Sequence, residues 1–234
     1  DEDLEMGDIG IRPESSDNVN VSLSDTGAYG ENKEHGLYLE GGFVWRSTQD
    51  YIQRNIVDMS GGKAAASYIN YGSMRTWGIN LSARYNYKRW LSVGGNFTYM
   101  DVRDNQPTAI GSSMPNLGYG DRMPNIPYLF ADAFVTLSWH NCGWRGNTLE
   151  LTYDNQYLHN FYYYSSRIGS NKDDYMVPTQ FSHNIALSYT IKDGRYNIAF
   201  ECRNFTNERL YDNFSLQKAG RAYYVKLRVA FGGR

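Results

Sequence analysis

The side chains best suited to chemistry are few in this 234-residue sequence, and their spacing matches no catalytic or metal-binding motif. Neither a Gly-x-Ser-x-Gly segment, a phosphate-binding glycine loop nor His-Glu-x-x-His occurs. We therefore predict that the protein is not an enzyme and has no bound cofactor or metal. Four histidines stand alone in predicted turns or strands and indicate solvated or interface positions: His35, His140, His159 and His183.

Two other groups of side chains could bind a ligand, but each also has a simpler structural explanation. The oxygen ligands that cations prefer occur at Asp173-Asp174 and in the acids near Asp101 and Asp104, but solvated loop carboxylates are the favoured interpretation. An aromatic run that begins at Phe161 could stack on a sugar or an aromatic ligand, or could belong to an aromatic belt at a membrane surface, which we favour. The candidate ligand contacts in this run are Tyr162, Tyr163 and Tyr164.

The two cysteines form neither a disulfide framework nor a metal-binding spacing. Cys142 falls in a predicted turn, whereas Cys202 falls within a predicted strand. We expect two unpaired thiols in preference to one disulfide.

The high aromatic content favours secondary-structure elements that lie at a boundary between lipid and water. Aromatic residues make up 15% of the chain and tyrosines number 21, while the charges nearly balance at a formal net of −2. This balance argues against a nucleic-acid-binding protein, which carries a clustered basic excess. The mean hydropathy is −0.60, and no apolar run approaches the ~18 residues of a membrane helix. A membrane protein of this composition must span the bilayer with strands, because only every second side chain then faces lipid.

Period-2 alternation predicts those strands, most clearly in the last segment. There the apolar side chains alternate with polar and charged ones, a pattern that no helix accommodates. One side of this segment carries Tyr223, Val225, Leu227, Val229 and Phe231. We predict nine strands, an antiparallel meander, and no amphipathic helix. The predicted strands cover residues 19–23, 37–52, 79–87, 91–99, 129–139, 148–154, 181–191, 196–203 and 223–231.

The connections between predicted strands alternate between short and long. Short ones lie at 31–35, 88–90, 140–147 and 192–195, the last with an Asp-Gly hairpin signal. Long ones cover 54–67, 103–127, 160–178 and 206–220, and they are rich in Gly, Asn, Ser, Asp and Pro. This alternation is typical of an up-and-down outer-membrane barrel, with short periplasmic turns and long extracellular loops. The alternative is a soluble all-β domain whose aromatic residues pack a core.

The alternation also assigns side chains to the two faces of the wall. The outer, lipid-facing set is predicted to be Leu81, Leu91, Leu151, Leu187, Phe200, Leu227 and Val229. The candidates for the lumen are Arg84, Glu150, Glu201, Arg203, Lys226 and Arg228.

Several segments, in order along the chain, resemble TonB-dependent outer-membrane receptors. Ile11-Arg12-Pro13-Glu14 is similar to the stretch before a mid-barrel strand, and Asp50-Tyr51-Ile52 is similar to the end of a long one. Asn80 stands where the family usually has Glu. The end of the chain resembles the family's C-terminal signature, carried here by Asn204, Phe205, Asn207, Tyr211, Gly220, Arg221 and Phe231. The chain departs from many members by continuing for Gly232-Gly233-Arg234.

The resemblance implies that residues 1–234 are the C-terminal part of a plugged barrel of about 22 strands. Signal peptide, plug domain and TonB box are not visible in this sequence. The implied function is energy-coupled import of a scarce nutrient across the bacterial outer membrane: siderophore-bound iron, a cofactor or an oligosaccharide. The implied partners are outer-membrane lipid, the nutrient, the barrel-assembly machinery, and the TonB energy complex through the plug, but not nucleic acid. The alternatives are a passive porin or structural barrel, and a soluble β-rich binding domain.

Overall fold

The described residues form mainly β-strands, as the alternation predicts. The structure, a computed structural model, describes residues 4–6, 9–58, 65–70, 72–109, 112–163, 175–192, 194–213 and 215–231. Among these residues no helix is long and apolar enough to span a membrane. The strands are β1 (Leu4–Met6), β2 (Ser15–Tyr29), β3 (His35–Gln49), β4 (Ile52–Asp58), β5 (Ala65–Asn70), β6 (Met74–Tyr87), β7 (Leu91–Asp104), β8 (Leu129–His140), β9 (Thr148–Leu158), β10 (Phe161–Tyr162), β11 (Met176–Val177), β12 (Gln180–Ile191), β13 (Tyr196–Arg203) and β14 (Ala222–Val229).

Nine of these strands form one sheet, in the order β14-β13-β12-β9-β8-β7-β6-β3-β2. The predicted nine-stranded antiparallel meander is confirmed, because each of these strands lies beside its neighbours along the chain. The predicted boundaries are less accurate. β2 has 15 residues where five were predicted, and β3 ends at Gln49 because the following Asp50 adopts φ +54°.

The chain divides into two compact units. The first consists of Asp1–Val21, Phe43–Gly78 and Asp101–Met123; the second consists of Ser22–Gly42, Ile79–Met100 and Pro124–Arg234.

The first unit contains a small sheet in the order β1-β5-β4. β4 and β5 pair in antiparallel fashion and overlap the predicted long connection at 54–67. β1 pairs with β5 in parallel over three residues, so the expectation that every pair is antiparallel is wrong here. Three residues are too few for the alternation to appear in the sequence.

The second unit contains the paired strands β8, β9, β12, β13 and β14 in full. The tight turns of this unit contain residues at positive φ. In the turn after β12, Lys192 and Gly194 have φ +52° and +100°, and Arg195 N–H donates to Lys192 O at 3.2 Å, as the hairpin signal predicts. Asp193 lies outside the described residues. In the turn after β2, the backbone N–H groups of Glu34 and Asn32 donate to the Glu34 carboxylate and hold its pKa below its usual range.

Both cysteines are unpaired, as predicted. Cys142 lies in the turn after β8, and Cys202 is buried in β13.

Candidate functional site

One face of the strands in the second unit, here called the apolar face, carries apolar side chains in register. A ladder of directly paired residues crosses six strands: Leu91, Leu137, Leu151, Leu187, Phe200 and Val225. Leu187 and Phe200 are 46% and 49% exposed, and Val225 is 73% exposed. The next rung contains Ile198 and Leu227, which are also exposed. Exposed apolar surface of this extent marks a face that meets lipid or another protein.

A continuous chain of aromatic rings borders the apolar face at the long-loop ends of these strands. Neighbouring rings lie between 4.2 Å (Phe181 to His183) and 6.4 Å (Tyr153 to Phe205) apart. Such a row is typical of the interfacial girdle of a membrane barrel. Its members are Tyr99, Tyr128, His159, Tyr157, Phe181, His183, Tyr153 and Phe205. Phe161 was predicted to belong to the aromatic belt, but it is buried in β10, where it pairs with β11.

The histidines of this girdle are positioned by tyrosine hydroxyl groups. Tyr153 Oη lies 2.7 Å from His183 Nδ1, and Tyr157 Oη lies 2.7 Å from His159 Nδ1. His35 makes the same contact with Tyr85 at the short-turn end. Within the described residues, no group of three or more His, Cys, Asp or Glu side chains is arranged to hold a metal ion.

The opposite side of the wall, here called the polar face, carries side chains that bond to one another across the strands. Asn197 donates to Ser188 at 2.9 Å and to Thr190 at 2.8 Å, and Ser138 donates to Glu150 at 3.1 Å. All six candidate lumen residues lie on this face: the register places Glu150, Glu201, Arg203, Lys226 and Arg228 there. Arg84 joins them, with its guanidinium 5.3 Å from the centre of the Phe134 ring, which faces the same side.

The polar face also contains a groove of about 800 Å³, the polar-face groove, below the loop that follows β13. Glu201 accepts hydrogen bonds from Lys226 and, at 3.4 Å, from Arg203. The Arg203 guanidinium lies 4.9 Å from the centre of the Tyr224 ring. On the facing strands, Asn184 donates to Asp154 at 2.6 Å. Other lining residues are Thr152, Gln156, Ser182, Leu210 and Lys218.

The residues of the C-terminal signature organise the loop above this groove. Asn204 is buried and has φ +48°; its side chain accepts from Glu208 N–H at 3.0 Å and donates to Glu208 O at 2.9 Å. Tyr211 N–H donates to the Gln180 side chain at 2.7 Å. The described part of this loop is therefore closed by hydrogen bonds rather than loose.

The remaining signature residues are only partly brought together. The Arg221 N–H donates to Asn207 Oδ1, and a Cβ on Gly220 would lie 2.7 Å from that oxygen, so a larger residue at this position would have to shift the Asn207 side chain. Phe205 belongs to the aromatic chain. Phe231, in contrast, is 92% exposed at the far end of the chain. Residues 232–234 lie outside the described residues.

Two of the tyrosines proposed as ligand contacts lie in β10 or directly after it, and β10 pairs with β11. Tyr162 pairs with Met176, and its carbonyl accepts from Asn125 N–H at 2.7 Å. The rings of Tyr163 and Tyr175 lie 5.9 Å apart in an edge-on arrangement. Tyr164 lies outside the described residues. The geometry of the described tyrosines shows no ligand contact, and it does not place them in the row of aromatic rings that borders the apolar face.

A second polar cluster, in the first unit, was missed in the sequence. Asp101 is 2% exposed, and its carboxylate accepts from Arg103 Nε and Arg122 Nε at 2.5 Å each. Asp104 is buried too, and it accepts from Asn116 at 2.9 Å. The interpretation of Asp101 and Asp104 as solvated loop carboxylates is therefore wrong, and Asp173 and Asp174 lie outside the described residues. Arg122 lies 21 residues along the chain from Asp101, and no spacing rule predicts such a partner.

Comparison with known proteins identifies the class that this two-faced wall represents. The family model described as TonB dependent receptor-like, beta-barrel matches residues 4–205, and the chain belongs to this family. No curated protein sequence matches it.

Solved structures share the fold at low sequence identity. The FrpB iron transporter from Neisseria meningitidis (F3-3 variant) is 14% identical, with a TM-score of 0.68, over 96% of this chain and 32% of that one. The copper transporter OprC is 14% identical, with a TM-score of 0.68, over 96% and 34%. The ferric yersiniabactin uptake receptor FyuA from Yersinia pestis is 15% identical, with a TM-score of 0.62, over 93% and 30%. The chain thus spans about a third of the length of these structures.

Proposed function

We propose that this chain is the C-terminal part of the barrel of an outer-membrane TonB-dependent receptor, which imports a scarce nutrient with energy from the inner membrane. The observation that carries the proposal is the exposed apolar face, bordered by an aromatic row and backed by a hydrogen-bonded polar face. Transfer of one such leucine or phenylalanine side chain from water to an apolar environment is favourable by about 1.5–3 kcal/mol, so this face is more stable against lipid than in water.

In this proposal the strands belong to a closed barrel of about 22 strands whose lumen holds a plug. The chain's coverage of about a third of the matched structures supports a nine-stranded share of such a barrel. The polar face lines the lumen, and the lumen residues are Arg84, Glu150, Glu201, Arg203, Lys226 and Arg228. The plug would transmit the pull of the TonB complex, whereas the barrel-assembly machinery would insert the wall into outer-membrane lipid.

The cargo is a small nutrient, and no bond of the cargo is broken. Siderophore-bound iron, a cofactor and an oligosaccharide are the candidate classes. The iron, copper and ferric yersiniabactin transport functions named for the similar structures support a metal-bearing cargo as one of them. Tyr162 and Tyr163 remain candidate ligand contacts at the long-loop end.

Energy coupling separates this function from that of a passive porin. Cells with and without the full-length gene would be grown on limiting ferric chelates, copper, cobalamin or oligosaccharides. The nutrient that supports growth only when the gene is present would then be isotopically labelled, and its uptake would be measured. We expect this uptake to stop when a protonophore is added or TonB is removed. Uptake that continues at the same rate would instead indicate a passive channel.

A further inference from the structure

The polar-face groove combines two cationic side chains with polar side chains that can bind hydroxyl and amide groups. From this combination we infer that the groove binds the carboxylate of a hydroxylated organic ligand, with Arg203 and Lys218 as the residues that contact the anionic group. The inference rests on the import function proposed above and names the chemical class of the cargo at the lumen wall.

The described neighbours of the Arg203 guanidinium hold it in position but leave most of its N–H donors unbonded. It lies 4.9 Å from the centre of the Tyr224 ring, and its single bond to Glu201 is long, at 3.4 Å. The Arg203 side chain remains 56% exposed. A guanidinium has five N–H donors in a planar fork, so most of them remain available for a carboxylate.

Lys218 adds a second positive charge at the rim of the groove. Its backbone N–H donates to Leu210 O at 2.8 Å, which places the residue in the closed loop. In the part of the chain that the structure describes, its ammonium group has no ion-pair or hydrogen-bond partner. The nearby Glu201 is neutralised by Lys226, whose ammonium group bonds its carboxylate. Of the lining charges, Arg203 and Lys218 therefore outweigh Asp154.

The facing wall selects for hydroxyl groups. Asp154 uses Oδ2 to accept from Asn184, while Oδ1 has no bonded partner among the described residues. Gln156 and Ser182 line the same wall and offer both donors and acceptors. A ligand that places its carboxylate against Arg203 would turn its hydroxyl groups toward these side chains. The volume of about 800 Å³ is within the usual range for small-molecule sites.

Two sugars that differ only in the carboxylate test the inference. The full-length receptor would be purified from outer membranes in detergent, and the folded barrel would be verified by its heat-modifiable mobility. Binding of methyl β-D-glucuronide and methyl β-D-glucoside would be measured by saturation-transfer NMR and isothermal titration. The variants are Arg203→Gln and Lys218→Gln. Arg228→Gln is the matched control, because Arg228 lies on the same face, opposite Asn197, but does not line the groove.

We expect the wild-type receptor to bind the glucuronide at least about tenfold more tightly than the glucoside, as one charge-assisted pair provides. Arg203→Gln should abolish this preference, Lys218→Gln should reduce it, and Arg228→Gln should retain it. A folded receptor that binds neither sugar, binds both equally, or loses the preference equally in Arg228→Gln would overturn the inference. Such a receptor could still show protonophore-sensitive uptake, so the two proposals fail separately.

Discussion

The Asn207 side chain accepts a hydrogen bond at 3.0 Å from the backbone N–H of Arg221, 14 residues further along the chain. This contact joins the start of the loop after β13 to the start of β14. Gly220 lies beside it, and a Cβ at that position would approach Asn207 Oδ1 to 2.7 Å. The signature residues thus act on loop closure, which shapes the rim of the polar-face groove.

Gly220→Ala should therefore loosen this loop. The added methyl group must displace Asn207 Oδ1, so the exposed Arg221 N–H exchanges its protein acceptor for water, a loss of about 0.5–1.5 kcal/mol. Hydrogen exchange of the Arg221 amide in the folded, full-length protein measures the effect. The matched control is Gly120→Ala, because a Cβ there meets nothing within 4 Å; its effect arises only from its positive φ. Unchanged Arg221 exchange in Gly220→Ala would contradict this account of the loop.

Asp101→Asn should release the loop segment that Arg122 anchors in the first unit. An amide replaces the buried carboxylate that accepts from two guanidinium groups, although both arginines are more than a third exposed and solvent screens them. We expect a loss of about 1–3 kcal/mol and faster proteolysis between residues 112 and 123. Asp17→Asn, at an exposed position of the same unit, is the control. Equal proteolysis of the two variants would show that the cluster does not secure the loop.

Neighbouring residues of β14 should respond in opposite ways to substitution. Leu227 lies on the apolar face, so Leu227→Arg at the bilayer midplane should cost about 2–4 kcal/mol and reduce insertion. Lys226→Ala removes a polar-face side chain that bonds Glu201, and insertion should remain normal. The amount of heat-resistant folded protein in outer-membrane fractions measures both. Similar losses from the two variants would argue against a lipid-facing Leu227.

Removal of the chain from Tyr223 onward should prevent insertion. β14 pairs with β13 over eight residues, and its loss exposes the backbone N–H and C=O groups of β13. Each such group costs several kcal/mol when it is unsatisfied in hydrocarbon. Full-length protein with and without this segment would be compared for folded barrel in outer membranes. Normal insertion of the truncated protein would overturn the role of β14 as a required strand.

The main sheet could be predicted because side chains alternate with period 2. In β12, Leu187 lies on the apolar face and the next residue, Ser188, lies on the polar face, so the face of one residue fixes the faces of all the others. The register of β12 with β9 and β13 agrees with this pattern. The nine strands and their apolar side chains were therefore visible in the sequence.

The missed features depend on contacts that are not local. The parallel pairing of β1 with β5 joins residues about 60 positions apart, and Asp101 reaches Arg122 across an irregular loop. Hydrophobic periodicity carries no information on such partners. The groove was missed for the same reason, because Arg203 and Lys218 line one groove only after the loop between them closes.

Solvent accessibility along β12 tests the central claim most directly. Nitroxide labels would be placed one at a time on this strand in the full-length receptor in lipid, after Cys142 and Cys202 are replaced by alanine. The labelled positions would be Ile185, Ala186, Leu187, Ser188, Tyr189 and Thr190. We expect collisions with oxygen to be highest at the odd-numbered positions and collisions with a water-soluble nickel chelate to be highest at the even-numbered ones. Nickel accessibility at Leu187 equal to that at Ser188 would contradict a lipid-facing apolar face.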